Sequence, residues 1–100
     1  MVPDQTYSFE GELWLSKGAG ASWIFVTVPA EISQQIRFLQ GKTKGFGSIR
    51  LRAGIGESSW HTSLFPDKAS GCYFLPVKAS VRKAQAISAE DSVSIELNIG

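Results

Sequence analysis

The sequence has one cysteine, one methionine and one histidine among its 100 residues, and these shortages remove whole classes of protein. A single thiol, Cys72, cannot close an internal disulfide, so a disulfide-stapled scaffold is excluded and a reducing compartment is indicated. One histidine with one cysteine is too small a set for the usual zinc ligands, so we expect no metal. Because Cys72 is followed by Tyr73 and Phe74, we expect it to be a small packed hydrophobe.

Long hydrophobic runs and charge of one sign are also missing. No apolar run approaches the roughly 18 residues of a membrane-spanning helix, and residues 1–5 lack the features of a signal peptide. We therefore expect a cytoplasmic protein with no membrane partner. Ten basic and nine acidic residues give a net charge of +1, whereas proteins that neutralise phosphates usually have a clear basic excess. Nucleic acid is therefore an unfavoured partner.

Motifs for catalysis and for nucleotide binding are absent as well. Gly41-Lys42-Thr43 resembles the end of a phosphate-binding loop, but Ile36 stands where that motif requires its first glycine. His61 has Ser59 and Ser63 near it, yet no orienting acid or oxyanion pocket is evident in the sequence. We therefore expect no enzyme and no cofactor.

The composition that is present is that of a globular domain. The sequence is 43% hydrophobic and 19% charged, and its mean hydropathy is close to zero. A chain of this length typically forms one core, so we expect a single domain over residues 1–100.

Alternation of apolar and polar residues predicts strands along most of the chain. The predicted strands are Thr6 to Leu15, Trp23 to Val28, Ser48 to Ile55, Ser59 to Phe65, Tyr73 to Val77 and Val93 to Ile99. The second of these is apolar on both faces, so we expect both of its faces to be covered. The glycine-rich segment 17–21 and Gly56-Glu57 predict tight connections, Pro66-Asp67 predicts the end of a strand, and Pro76 predicts a strand end or edge.

Two short helices complete the predicted order. Pro29 suits the first turn of a helix in which Ile32, Ile36 and Leu39 form one apolar stripe, and Gly41 is placed to end it. The second helix is indicated by Val81, Ala84 and Ile87, with Ser80 as its N-cap.

A weak internal repeat relates the two halves of the chain. Phe25-Val26-Thr27-Val28-Pro29 precedes the first helix much as Tyr73-Phe74-Leu75-Pro76 precedes the second. Two such units would allow one chain to close a barrel with pseudo-twofold symmetry and so remove exposed sheet edges.

Several short motifs, in a fixed order, resemble a known family. They are Glu12-Leu13-Trp14, the segment from Trp23 to Pro29, Gly45-Phe46-Gly47-Ser48, Ser63-Leu64-Phe65-Pro66, the segment from Tyr73 to Lys78, and Val81-Arg82-Lys83-Ala84. The pattern from Tyr7 to Leu97 looks like the small bacterial and archaeal family called domain of unknown function 1905. This resemblance implies a mainly β fold with two short helices, namely a double-split β-barrel that is pseudo-twofold and capped by helices. Some members of the family carry a second, bacteriocin-protection-type domain.

A fainter resemblance is to swapped-hairpin transition-state regulators of the AbrB type. Leu75-Pro76, Val81-Arg82-Lys83 and Asp91-Ser92-Val93 fit that pattern, whereas Glu90 stands where it usually has glycine. This resemblance implies nucleic-acid binding as an alternative function.

Basic and aromatic side chains supply the candidate binding site. Arg50 and Arg52 share one face of a strand, while Lys78 and Arg82 surround the start of the second helix. If the sheet brings them together, they could bind an anion. The candidate ligand-binding residues are Arg50, Arg52, Lys78, Arg82, Trp14 and Trp60, where the tryptophans would be stacking platforms.

Two explanations of these residues remain open. The basic side chains could instead pair with Glu10, Glu12 or Glu96 on neighbouring strands, and the tryptophans could be core residues. The sequence thus predicts a non-catalytic binding or interaction module for a small anionic ligand or a protein partner. A homodimer is compatible with it, although no feature of the sequence specifies an interface.

Overall fold

The architecture of the chain is a small barrel with two helices. A computed structural model describes residues 5–18, 21–39 and 47–99. Its elements, in chain order, are β1 (Gln5–Gly18), β2 (Ala21–Thr27), α1 (Ala30–Leu39), β3 (Ile49–Ile55), β4 (Ser58–Asp67), β5 (Cys72–Pro76), α2 (Ala79–Gln85) and β6 (Ser92–Ile99). The prediction of a mainly β fold with two short helices is confirmed.

The strands close into a barrel in the order β1-β2-β5-β4-β3-β6, and every described pair of strands is antiparallel. Strand β1 is long enough to have two partners, because residues 5–12 pair with β6 and residues 13–18 pair with β2. Each strand of the ring has a neighbour on both sides, although the short β5 pairs only with residues 25–27 of β2 and residues 65–67 of β4. The barrel is thereby confirmed, while the finer description as a double-split barrel stays a prediction.

The strand order has the twofold symmetry that the internal repeat predicted. Exchanging β1 with β4, β2 with β5, and β3 with β6 leaves the order of the ring unchanged. The hydrogen bonds repeat it too, because the Val28 N–H donates to Tyr73 O at 2.8 Å and the Val77 N–H donates to Ile24 O at 2.9 Å. Since Ala30 and Ala79 begin the two helices, the counterpart of Pro29 is Lys78 rather than Pro76. The sequence match of the two prolines was therefore out of register.

Alternate residues of the strands fill the core. In β3 and β6 the burial alternates with period two, as expected for strands that have one face inside a barrel. The largest fully buried hydrophobic side chains are Tyr73, Leu13, Ile36, Leu64, Leu75, Ile95 and Leu97. The thiol residue Cys72 is also buried, as predicted.

Helix α1 contacts this core through a different set of residues from the one predicted. Ile36 is fully buried and Ile32 packs against the core, but Leu39 is exposed and Ser33 is fully buried instead. The stripe is therefore shorter than the sequence suggested and includes a hydroxyl group. The predicted helix end at Gly41, the Gly45-Phe46 pair and the Gly41-Lys42-Thr43 segment lie outside the described residues.

Helix α2 starts two residues earlier than the sequence suggested. Lys78 is its N-cap residue, without a side-chain capping bond, so the prediction that Ser80 is the N-cap is wrong. Val81 is buried, whereas Ala84 is exposed and Ile87 lies beyond the helix. The helix ends at Ala86, which has a left-handed backbone conformation with φ of 53°.

The outer face of β2 differs from the prediction that both its faces are covered. Ile24 and Val26 face the core, but Trp23 is 55% exposed and Phe25 is half-buried. Phe25 is instead shielded by side chains of neighbouring strands, namely Trp14 of β1 and Phe74 of β5. The outer face of β2 is therefore covered in part by an aromatic cluster, and not completely as the sequence suggested.

Turns join the strands largely where the sequence placed them. Gly56 has a φ of +59° in the two-residue turn between β3 and β4, a conformation that glycine adopts without steric cost. Strand β4 continues through Pro66 to Asp67 rather than ending before them, because Pro66 pairs opposite Tyr73 near the end of the strand. Pro76 is the last residue of β5, as expected.

Candidate functional site

A cleft opens in the barrel wall where β5 ends and α2 begins. Beyond Pro76 the chain leaves the sheet, so β2 and β4 flank a gap between them. The cavity has a volume of about 410 Å³. Its lining residues are Trp23, Ile24, Trp60, His61, Thr62, Pro76, Val77, Lys78, Ala79 and Arg82.

Two of the predicted basic residues lie at this cleft. Lys78, immediately before α2, is exposed, and Arg82, one turn into the helix, is half-buried. The Nε of Arg82 donates a hydrogen bond to Val77 O at 3.1 Å, which fixes the base of the guanidinium group. The side chains of Lys78 and Arg82 thus place two positive charges beside an apolar wall.

The aromatic side of the cleft is formed by two tryptophans with different exposure. Trp60 is only 5% exposed and belongs to the core, so it contributes the floor rather than an open stacking platform. Trp23 is 55% exposed and stacks on Phe25 with ring centroids 6.3 Å apart and planes inclined by 20°. Trp23 is therefore the aromatic ring that the cleft presents to solvent.

Arg50 and Arg52 lie in a neighbouring cavity of about 210 Å³ on the outer face of β3. His61 lines this cavity and the cleft alike, because it pairs directly opposite Arg52 in the sheet. The Nη2 of Arg52 donates to Ser59 Oγ at 2.9 Å, which holds the guanidinium against the sheet. The four predicted basic residues thus occupy two cavities that meet at His61.

Carboxylates do not neutralise these four side chains in the part of the chain that the structure describes. Arg50, Arg52, Lys78 and Arg82 form no ion pair with any described acidic residue. Pairing with Glu10, Glu12 or Glu96 was the alternative explanation of the basic cluster, and it is not what the structure shows. Within the described residues, the positive charge of these four side chains is therefore not offset by an ion pair.

Trp14 lies elsewhere, in the aromatic cluster on the outer face of the barrel. Its ring centroid is 5.2 Å from that of Phe25 and 4.9 Å from that of Phe74. Its Nε1 donates to Thr27 Oγ1 at 3.0 Å. Since Trp14 does not line the cleft, the structure separates it from the other five candidate residues and gives it a packing role.

A larger cavity of about 510 Å³ has the opposite charge. Glu10, Glu57 and Glu96 line it together with four serines, and no basic residue is among its described lining. Within the described ranges, no group of three or more histidine, cysteine, aspartate and glutamate side chains is placed to hold a metal ion. Between this cavity and the cleft at α2, only the cleft has basic side chains in its described lining.

The symmetry-related position at α1 has a buried serine in place of the arginine of the cleft. Ser33 occupies there the place that Arg82 has at α2, and its Oγ donates to Val28 O at 3.1 Å. The same Oγ accepts a hydrogen bond from the Tyr73 N–H at 3.1 Å, and Ser33 is completely buried. The same backbone arrangement thus contains a buried, fully bonded serine in one half and a half-buried arginine that lines a cleft in the other.

Trp23 and His61 line the cleft but are not among the site residues that the sequence predicts. The pattern around Trp23 predicts a strand with both faces covered, and His61 has no evident catalytic partner in the sequence. No local sequence signal marks Trp23, because the cover of a strand's outer face comes from residues distant in the chain. No sequence signal placed His61 between the two basic pairs.

Comparison with known proteins gives a family but no activity. A family model described as "Domain of unknown function (DUF1905)" matches residues 9–97, which is most of the chain. None of the curated proteins compared with the chain matches it. No helix among the described residues has the length and hydropathy to cross a membrane.

Proposed function

The chain belongs to the DUF1905 family, and we propose that its barrel is a non-catalytic binding module whose cleft at α2 holds a small anionic ligand. The observation that carries this proposal is the pair Lys78 and Arg82, which line a cavity of about 410 Å³ without a described carboxylate partner. Positively charged groups beside an apolar wall favour a carboxylate or phosphate, because charge-assisted hydrogen bonds are stronger than neutral ones.

Arg82 is the residue best suited to bind the anion. Its Nε is used by Val77 O, whereas its two terminal nitrogens have no hydrogen bond to the described residues. A guanidinium held in this way presents two parallel donors, which match the two oxygens of a carboxylate or phosphate. Lys78 adds a mobile second charge at the rim.

The neighbouring cavity extends the binding surface for a ligand with a second anionic group. Arg50 and Arg52 line that cavity, and His61 connects it to the cleft. Surface charges of one sign in a concave site also raise the rate of association with an anion, in a manner that salt weakens. Binding by this module is therefore expected to weaken as ionic strength increases.

Further predictions from the sequence belong to this proposal. The module has no catalytic activity, acts in the cytoplasm, and needs no cofactor. A protein partner that presents an acidic group would use the same basic residues as a small anion. Homodimer formation is a separate expectation, which analytical ultracentrifugation of the isolated chain would test.

Isothermal titration with small anions tests the proposal. We expect phosphate or a dicarboxylate to bind at low salt, and the variant Arg82→Gln to bind it at least about tenfold more weakly, since hydrogen bonds to charged groups contribute about 1.5–3 kcal/mol. Lys68→Gln is a matched control, because it removes one positive charge in the turn after β4, away from the cleft lining. Equal loss in the two variants would show that only net charge matters and would contradict the proposal.

A second titration distinguishes nucleic-acid binding, the alternative function, from the binding of small anions. Fluorescence anisotropy with duplex DNA at low salt should show no saturable binding at micromolar protein. Duplex binding that is tighter than binding of the small anions would overturn the proposal in favour of an AbrB-like regulator.

A further inference from the structure

The exposed wall of the cleft carries a second recognition element. Trp23 lines the cavity together with Pro76, Trp60 and the start of α2. More than half of the Trp23 surface is open to solvent, at 55% exposure. Large apolar rings that remain exposed beside polar groups commonly mark binding sites.

The indole of Trp23 has one aromatic neighbour among the described residues. Its ring contact among the described residues is with Phe25, at 6.3 Å and an interplanar angle of 20°. Phe25 is itself held by Trp14 at 5.2 Å and by Phe74 at 5.9 Å. The stacked orientation of Trp23 is thus set by the aromatic cluster behind it, before any ligand arrives.

A preset aromatic ring and a nearby cationic pair define the chemistry of the ligand. We propose that the cleft selects a planar aromatic anion, whose ring lies against Trp23 while its phosphate or carboxylate is bound by Lys78 and Arg82. This inference depends on the function proposed above. A cavity of about 410 Å³ accommodates a ligand of one or two rings, because small-molecule sites typically measure about 300–1,000 Å³.

The two cationic side chains alone do not account for the exposed indole of Trp23 in the cleft. An inorganic anion would be satisfied by Arg82 and Lys78 and would leave the indole in water. A planar ring covers that surface and adds a stacking contact, which aromatic pairs favour beyond simple burial. The cleft therefore recognises the ring and the charge through different side chains, namely Trp23 for the ring and Lys78 and Arg82 for the charge.

Four probes that differ in one property each test the inference by calorimetry. They are phenyl phosphate, cyclohexyl phosphate, inorganic phosphate and phenol. We expect phenyl phosphate to bind about tenfold more tightly than cyclohexyl phosphate, because stacking on an aromatic side chain has about this effect. Inorganic phosphate is expected to bind more weakly still, and phenol most weakly.

Two variants test whether Trp23 causes the preference for an aromatic ring. Trp23→Leu should remove the preference for phenyl over cyclohexyl phosphate, so that the variant binds the two probes with similar affinity. Phe65→Leu is the matched control, since Phe65 is an exposed aromatic residue on β4 that does not line the cleft. Circular dichroism of each variant verifies the fold, which a change at an exposed position should preserve.

Different results would contradict the aromatic preference and the anion site. Equal affinity for phenyl and cyclohexyl phosphate, with both weakened by Arg82→Gln, would overturn the aromatic preference and leave the anion site standing. Phenol binding as tight as phenyl phosphate, with no effect of Arg82→Gln, would overturn the anion site and with it the inference. A preference for phenyl phosphate that survives Trp23→Leu would also overturn the inference.

Discussion

Ser33 and Arg82 make the same contact in the two halves of the barrel, since each donates to the carbonyl of the valine five residues earlier in the chain. Ser33 Oγ binds Val28 O at 3.1 Å, and Arg82 Nε binds Val77 O at 3.1 Å. The serine is completely buried, whereas the arginine is half-buried at the cleft. One side chain therefore closes its half of the barrel, and the other leaves two nitrogens for a ligand.

Removal of the Ser33 hydroxyl should destabilise the fold. In Ser33→Ala, the buried Tyr73 N–H and Val28 O both lose their partner, and each unsatisfied buried group costs about 1–3 kcal/mol. We expect the free energy of unfolding to fall by at least about 2 kcal/mol, as measured by urea denaturation followed by circular dichroism.

Arg82→Gln is the counterpart of that variant in the other half. Because Val77 O lies beside the open cleft, water can replace the lost donor, and we expect a change of less than about 1 kcal/mol. A larger loss of stability in Arg82→Gln than in Ser33→Ala would contradict the division of roles between the two residues.

Much of the fold could be predicted because strand periodicity is a local property. The alternation in β3 and β6 identified both strands and their inward faces. The roles of Ser33 and Lys78 could not be predicted in this way. A serine on an amphipathic helix resembles a solvent-facing residue until its partner on β5 is known, and Lys78 has no capping side-chain bond that would mark a helix start.

The candidate site was predicted in part. The strand face placed Arg50 with Arg52, and the start of α2 placed Lys78 with Arg82, but the structure divides these pairs between two cavities. Trp23 was missed because the exposure of an apolar strand depends on what covers its outer face. That cover comes from residues distant in the sequence, such as Phe74, so no local pattern reports it.

Gly11 should tolerate no side chain. A Cβ at this position would lie 2.5 Å from Val26 Cγ1, inside the barrel, where Val26 is completely buried. We expect Gly11→Ala to lower the free energy of unfolding by about 1–3 kcal/mol, as overpacking of a core typically does. Chemical denaturation provides the measurement.

Gly54→Ala is the control for that variant. A Cβ at Gly54 would meet its nearest atom, Ser58 O, at an ordinary 3.6 Å, so we expect little or no loss of stability. The double variant Gly11→Ala with Val26→Ala should cost less than the sum of its two single variants, because the second change removes the clashing atom. Strict additivity would argue against the contact.

Ala86 is a position where glycine should stabilise the protein. It ends α2 with a φ of 53°, a left-handed conformation that costs an ordinary residue about 1–2 kcal/mol. We expect Ala86→Gly to raise the free energy of unfolding by about 0.5–1 kcal/mol, although glycine recovers only part of the strain because its unfolded chain is more flexible.

The matched control for this change lies in the same helix. Ala84 is exposed within α2, so Ala84→Gly should lower the stability by about 0.5–1 kcal/mol. Opposite signs for the two substitutions are the expected result in thermal denaturation. Destabilisation of similar size by both glycines would contradict the left-handed helix end.

The stability of the protein should fall in alkaline solution because of its two tyrosines. Burial raises the pKa of the Tyr7 hydroxyl, and burial also raises the pKa of Tyr73 against the opposing charge of Arg37. Above about pH 10, the usual pKa of tyrosine, the unfolded chain therefore releases protons that the folded chain retains. Since the unfolded state then binds fewer protons, the free energy of unfolding decreases as pH rises, while below about pH 10 these groups have no such effect. Thermal denaturation between neutral and alkaline pH should show this decline, and Tyr7→Phe should make it shallower, whereas an unchanged slope in that variant would exclude Tyr7 as a source.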